Sequence, residues 1–258
     1  MSNKTKKRRN TLLTILEVVF ALIFLFALFQ AGRTLYSYHE GDSFYEDSQE
    51  TFLSEDTGAS PEDGALGFQV DLAALQKVNP DVKGWIYIPD TAVSYPLLWS
   101  KSDDTYLRTT YTKEHSVFGS IFFSHLCSPE LTDQHTLIYG HNTKNGSMFG
   151  GLKKYKEKAY FDSHPYVYLI MRGRTYQYKI VSCFTAQTSD DVYILSFMKN
   201  SDFQSWLAKL ITKSDVDPGT VAITGMEQVL TLSTCTSRTK TERFTVNAIQ
   251  VNSWANTF

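Results

Sequence analysis

The stretch Val229-Leu230-Thr231-Leu232-Ser233-Thr234-Cys235 predicts a β-strand that ends at a cysteine. Its β-branched, apolar and small hydroxyl residues suit a pleated, largely buried strand. The end of a strand is a rigid platform for a reactive side chain. Arg238, Lys240 and Arg243 follow within eight positions, and a positive neighbourhood favours the thiolate form of a cysteine. Cys235 is therefore a candidate nucleophile, although most free cysteines are small buried hydrophobic residues.

A second candidate lies upstream, where the apolar run from Thr136 to Tyr139 is followed by Gly140 and His141. Gly140 permits a sharp turn after the predicted strand. A histidine at such a strand exit can reach a neighbouring strand end and act as an acid or base. The simpler alternative is a loop histidine that only makes hydrogen bonds.

The chain contains three cysteines, Cys127, Cys183 and Cys235. An odd number leaves at least one thiol unpaired in an exported protein. Zinc is disfavoured, because the spacing of His125, Cys127, His135 and His141 matches no structural zinc pattern. The sequence also lacks a phosphate-binding loop, a dinucleotide fingerprint and a serine nucleophile elbow. We therefore expect neither a metal nor a cofactor.

The N-terminus predicts a membrane anchor. A basic head over residues 1–10 precedes an apolar segment over residues 11–31, which is just long enough to cross a bilayer as a helix. The basic side should stay in the cytoplasm, which places the rest of the chain outside the cell. A cleaved signal peptide is the alternative, but no small-residue cleavage site follows the apolar run. The net charge of -2 gives no electrostatic footprint for nucleic acid.

Residues 32–66 form an acidic juxtamembrane segment with nine acidic residues and one arginine. We interpret it as a solvated spacer, in which Gly41 argues against a long helix. The folded catalytic domain is then expected over residues 67–258. Short strand patterns dominate that range, with a hairpin around Arg172-Gly173-Arg174 and a helical pattern from Asp202 to Lys213. The sequence predicts a mostly antiparallel β-barrel or a closed β-sandwich.

Several motifs together resemble the class B sortases, cysteine transpeptidases of Gram-positive bacteria. The run Thr231–Cys235, with Arg243 eight residues later, resembles the sortase signature T-L-x-T-C and its downstream arginine. The remaining similar stretches occur in the family's order between about residues 70 and 251: Asn79–Pro89, Gly119–Phe122, Thr136–Asn142, Gly146–Phe149 with Leu152, and Phe161–Leu169. One position departs from the family, since Phe123, Ser124 and His125 follow Phe122 where an aspartate is often found.

The resemblance implies an eight-stranded sortase β-barrel with short helices, including one before the last two strands. It implies surface proteins with a C-terminal N-P-x-T-x-like sorting motif as substrates. Cys235 would attack the carbonyl after the threonine, and His141 would serve as acid and base. Arg243 and the backbone N–H of Thr236 would stabilise the oxyanion. Ser233, which alternates with Thr234 and so shares a side with Cys235, and Asn142 are expected beside the substrate.

The acceptor in this resemblance is an amine of a cell-wall precursor, and the alternative is a lysine amine of a pilin. A non-enzymatic alternative is an anchored surface module that binds a wall polymer or another protein. Such a module would not need Cys235, His141 and Arg243 together. The expected location is the cell membrane, with one span, a cytoplasmic N-terminus and an extracellular catalytic domain.

Overall fold

A computed structural model describes residues 3–55, 66–235 and 241–256 of the chain. The chain divides into two compact units, one ending at Ser43 and one beginning at Phe44. In the described residues, the strands and helices follow in this order: α1 Asn3–Phe52, β1 Leu53–Glu55, β2 Phe68–Val70, α2 Leu72–Val78, β3 Val82–Tyr87, β4 Ser94–Leu98, β5 Ile121–Phe123, β6 His135–His141, a 3-10 helix Gly150–Lys156, α3 Lys158–Ser163, β7 Tyr166–Met171, β8 Arg174–Gln187, a 3-10 helix Asp191–Tyr193, α4 Asn200–Thr212, β9 Val229–Cys235 and β10 Glu242–Ala255.

Eight strands close into a barrel in the order β10-β8-β7-β3-β4-β5-β6-β9. Six neighbouring pairs are antiparallel, and the pairs β4–β5 and β6–β9 are parallel. The predicted eight-stranded, mostly antiparallel barrel is thus confirmed. Because the pair β6–β9 is parallel, both strands end at the same edge of the sheet.

The barrel core consists of apolar side chains from successive strands, among them the fully buried Trp85 of β3 and Phe244 of β10. Helix α4 covers the outside of β8. Its Phe203, Trp206 and Leu207 are buried in one cluster with Phe184. The helical pattern from Asp202 to Lys213 therefore predicted this helix to within two residues. Burying each large apolar side chain contributes roughly 1.5–3 kcal/mol, so this cover stabilises the β8 side of the barrel.

Helix α1 continues through Gly41 to Phe52, so the expectation that Gly41 prevents a long helix was wrong. A single glycine inside a helix costs about 1 kcal/mol, and an existing helix needs no new nucleation to pass through it. The large apolar side chains from Leu13 to Phe29 are exposed. By length and composition α1 qualifies as one membrane-spanning helix. Within the residues that the structure describes, the chain therefore has one N-terminal apolar helix suited to a single-pass anchor.

The compact unit that contains the barrel includes the last turns of α1, from Phe44 onward. Tyr45 is 4% exposed, and the rings of Tyr45 and Phe52 lie against Tyr111 at centroid distances of 6.4 and 6.2 Å. Strand β1 then pairs with β2. The solvated spacer predicted for residues 32–66 therefore does not extend over Phe44–Phe52. Tyrosine and phenylalanine side chains supply the apolar surface that holds these turns in place.

Candidate active site

The candidate nucleophile and the candidate base end two adjacent parallel strands. Strand β6 pairs with β9 over its whole length, and the last register pair is His141 with Cys235. The structure describes the backbone of Cys235. The pairing brings together two residues that are far apart in the sequence, and each is the last residue of its strand. A cysteine and a histidine at neighbouring strand ends are the residue types that nucleophilic catalysis by a thiol requires.

Arg243 reaches the same edge from the other side of β9. Strand β10 runs antiparallel to β9, and Thr245 pairs with Ser233. Extending this register by two residues sets Arg243 opposite Cys235. The Arg243 Nη1 atom donates to the carbonyl oxygen of Glu242 at 2.9 Å, and the side chain lines the adjacent groove. The structure therefore brings three predicted residues to one rim of the barrel. Thr236 lies outside the described residues.

His141 is oriented by a main-chain carbonyl. Its Nε2 atom donates to the carbonyl oxygen of Leu107 in a short hydrogen bond. Because a carbonyl oxygen only accepts, the proton must reside on Nε2, and Nδ1 is the acceptor nitrogen of the neutral ring. Burial lowers the pKa of His141; the Leu107 bond acts in the opposite direction, and the charge of Arg108 lowers the pKa further. The imidazole is therefore biased toward its neutral form.

The stretch Phe123-Ser124-His125, where an aspartate was expected from the family resemblance, has a carboxylate from elsewhere in the chain beside it. Asp103, from the loop after β4, approaches it: its Oδ1 accepts from the His125 N–H at 2.6 Å and lies 3.1 Å from His125 Nδ1. Ser124 Oγ lies 3.5 Å from the other Asp103 oxygen. The carboxylate is thus engaged with His125, whereas His141 is held by the Leu107 carbonyl.

A groove of about 310 Å³ borders this rim. Apolar side chains alternate in its wall with hydroxyl and charged groups, which suits an extended peptide with both apolar and polar side chains. The lining residues are Asp103, Leu107, Phe122, Ser124, Leu126, Leu137, Tyr139, Thr188, Tyr193, Leu195 and Arg243.

The two residues expected beside the substrate occupy different environments. Ser233 is fully buried, and its hydroxyl lies 3.1 Å from the hydroxyl of Tyr193. Tyr193 is one of the residues that line the groove. Ser233 therefore does not line the groove itself but contacts a residue that does. Asn142 is half-buried and forms an isolated β-bridge with Met148, which shapes the loop after His141. Sequence reasoning missed Leu107 and Tyr193, because a backbone carbonyl group and one tyrosine in a short 3-10 helix leave no motif.

His135 begins the strand that His141 ends, and it lies in a closed buried network. Its Nδ1 is 2.7 Å from the Ile194 carbonyl oxygen, and its Nε2 is 2.8 Å from Thr231 Oγ1. Thr231 continues the network to Asn247 at 2.8 Å. Burial lowers the pKa of His135 to about 4. The described residues contain no cluster of three histidine, cysteine or carboxylate side chains placed to hold a metal.

Cys127 and Cys183 are buried, and burial raises the pKa of their thiols to about 11 and about 12. Thiolate is the reactive form, so both are inert structural thiols at neutral pH. Cys183 lies within β8 and is fully buried.

Comparisons with known proteins agree with this arrangement. Residues 86–251 match the sortase domain. Sortase B of Listeria monocytogenes is 34% identical over 223 residues, which cover 85% of this chain and 88% of that protein. A crystal structure of Staphylococcus aureus sortase B superposes with a TM-score of 0.72 at 26% identity, covering 82% of this chain and 99% of that one. A Staphylococcus aureus sortase B–substrate complex superposes with a TM-score of 0.66 at 28% identity, and the match covers 70% of this chain and 84% of that one.

The match covers most of the barrel, and the relatives share nearly their whole length with this chain. A strand-end cysteine paired with a strand-end histidine beside a peptide-sized groove fits the chemistry of cysteine transpeptidation. This chain therefore belongs to the sortase family, and within it to the class B sortases, which are cysteine transpeptidases.

Proposed function

We propose that Cys235, His141 and Arg243 are the catalytic residues, and that they cleave an N-P-x-T-x-like sorting motif of surface proteins. The observation that supports this assignment best is the register pair of His141 with Cys235 at the ends of β6 and β9. Arg243 lines the groove beside that pair. One of the similar structures is Staphylococcus aureus sortase B in complex with a substrate, which supports a peptide substrate in this groove.

In the acylation step the thiol proton of Cys235 passes to His141 Nδ1, and the sulfur attacks the carbonyl carbon of the threonine, whose peptide bond to the next residue then breaks. His141 then holds protons on both ring nitrogens, and the Leu107 carbonyl stabilises this form through Nε2–H. The Arg243 guanidinium and the backbone N–H of Thr236 stabilise the oxyanion. The proton on Nδ1 moves to the leaving amine, and a thioester remains on Cys235.

The second step reverses the proton path. His141 Nδ1 accepts a proton from the incoming amine, the amine attacks the thioester carbonyl, and the thiolate leaves. We propose an amine of a cell-wall precursor as acceptor. A lysine amine of a pilin would react by the same steps. Incubating the thioester with each amine and identifying the products by mass spectrometry distinguishes the two acceptors.

We propose that residues 1–10 face the cytoplasm and that the catalytic domain faces outward. The basic head and the apolar helix that follows support this orientation. The substrate and the acceptor would both be found on that outer side. Protease added to intact cells should digest the catalytic domain but spare an N-terminal tag. Protection of the catalytic domain would contradict this orientation.

Mass spectrometry tests the assignment of the nucleophile. The wild-type chain, incubated with an N-P-x-T-x peptide, should gain the mass of the acyl fragment on Cys235. Cys235→Ala should gain none. Cys127→Ala is the matched control, since it removes a buried thiol, and it should acylate like the wild type. An adduct that persists in Cys235→Ala would refute the assignment.

A further inference from the structure

The last turns of α1 contact the loop that orients His141. The Tyr45 hydroxyl donates to the carbonyl oxygen of Gly119 at 2.5 Å and lies 3.4 Å from Ser120 Oγ. Tyr45 is almost fully buried, and burial raises its pKa, so the hydroxyl stays protonated. A protonated hydroxyl in a dry site is a well-placed donor, because no water competes for the carbonyl.

Gly119 and Ser120 close the loop of residues 106–120, which we call the 106–120 loop. Ser120 N donates to the Tyr106 carbonyl at 2.9 Å, and Ser120 Oγ donates to the Thr109 carbonyl at 2.8 Å. These two bonds hold the residues on either side of Leu107 and Arg108. The position of Ser120 therefore sets the direction of the Leu107 carbonyl.

Gly119 is in direct contact with that carbonyl. Its φ angle of 56° lies in the left-handed region that favours glycine, and a Cβ atom placed on it would overlap the Leu107 carbonyl oxygen. The Leu107 oxygen is thus packed against Gly119 on one side and accepts from His141 on the other. A shift of Gly119 must move the hydrogen-bond acceptor of His141.

We propose that Tyr45 is a positioning residue for catalysis: by holding Gly119 and Ser120 from α1, it fixes the Leu107 carbonyl that orients His141. This inference rests on the proposed role of His141. The helix that anchors the chain then also contributes to the geometry of the active site. Small errors in such geometry are costly, since a misplacement of about 1 Å can reduce turnover about 10²-fold.

A neighbouring contact on α1 provides a matched control. Gln49 Nε2 donates to the Ser94 carbonyl at 3.0 Å, so it attaches the same helix to β4 rather than to the 106–120 loop. Gln49→Ala and Tyr45→Phe each remove one hydrogen bond between α1 and the barrel. A role limited to attaching the helix predicts equal effects of the two variants, whereas the positioning role predicts an effect of Tyr45→Phe alone.

The experiment measures steady-state peptide cleavage by the full chain in nanodiscs, corrected for the folded fraction by thermal unfolding. Tyr45→Phe should lower kcat about tenfold and leave KM within about twofold of the wild-type value. The Leu107 bond raises the pKa of His141, so a variant that weakens this bond should lower that pKa. In a plot of kcat against pH, the inflection assigned to His141 should therefore move to lower pH in Tyr45→Phe. Gln49→Ala and the exposed-site variant Tyr36→Phe should keep the wild-type kcat and inflection.

A wild-type kcat in Tyr45→Phe would overturn the inference, as would an equal loss in Gln49→Ala. Neither result would contradict the proposed function, which is tested separately by whether the wild-type chain forms the thioester on Cys235. If the wild-type chain forms no thioester there, the proposed function fails and the inference falls with it.

Discussion

Two histidines on strand β6 differ in almost every physical respect. His135, at the start of the strand, has both ring nitrogens within 2.8 Å of a partner inside the barrel, and it is fully buried. His141, at the end, has its Nε2 committed to Leu107 and is half-buried. Burial lowers the pKa of both. The difference teaches that a histidine whose two ring nitrogens are bonded inside the barrel is structural, whereas a histidine at a strand end fits the acid and base role that we propose for His141.

The largest effect should come from removing His141, the histidine of the pair for which we propose a catalytic role. His141→Ala should lower turnover by about 10² to 10⁴-fold, the usual contribution of general acid–base catalysis. Its thermal stability should stay close to wild type, because the residue ends a strand beside a loop. Single-turnover acylation and thermal unfolding measure the two quantities. Near wild-type acylation in this variant would remove His141 from the mechanism.

Arg243 lies on β10, on the far side of β9 from His141, and we propose that it stabilises the oxyanion. We expect Arg243→Lys to lose about 10² to 10³-fold in turnover, the typical cost of one oxyanion donor. Guanidinium presents a planar set of donors, whereas ammonium is a flexible point charge. Single-turnover acylation tests this, with Arg172→Lys in an exposed turn as control. If only the positive charge mattered, the Arg243→Lys variant would be acylated at the wild-type rate.

Gly119→Ala should perturb the one described hydrogen bond of the His141 ring. The new methyl group would displace the Leu107 carbonyl, and turnover should fall about 10²-fold. Gly219→Ala is the matched control: its φ is also positive, at 74°, but no atom lies within 4 Å of the added carbon. Both variants bear similar backbone strain, so kinetics per folded molecule separates geometry from strain. Equal turnover in the two would show that the Leu107 carbonyl has no role.

His135 should affect stability rather than turnover, and mainly at low pH. Its folded pKa of about 4 lies below the ordinary value of 6.5, so the unfolded chain binds more protons between these values. The free energy of unfolding therefore falls as pH drops from about 6.5 to 4, by about 3 kcal/mol in total.

Denaturant unfolding between pH 7 and 4 measures this slope. His135→Gln should flatten it, and the remaining slope should include the contribution of His141, whose pKa is also lowered. His115→Gln removes an exposed histidine and should keep the wild-type slope. An unchanged slope in His135→Gln would mean that the closed network does not exclude the proton.

The sequence predicted the parts of this site that depend on strand ends and motifs. The alternating run before Cys235 and the apolar run before His141 placed both residues at strand exits, and the barrel paired those exits. It did not predict Leu107, because the group that acts there is a backbone carbonyl, which every residue possesses. It also did not predict that α1 runs on to Phe52, since a glycine is only a weak helix breaker inside an established helix.

The roles of Cys235 and His141 as proton partners form the central claim, and the rate of Cys235 alkylation against pH tests it most directly. Cys127 and Cys183 are buried with raised pKa values and should contribute little below pH 9. When Cys235 passes its proton to His141, the resulting imidazolium stabilises the thiolate, so His141→Ala should shift the alkylation of Cys235 to higher pH than in the wild type. Identical alkylation profiles in the two proteins would contradict the account.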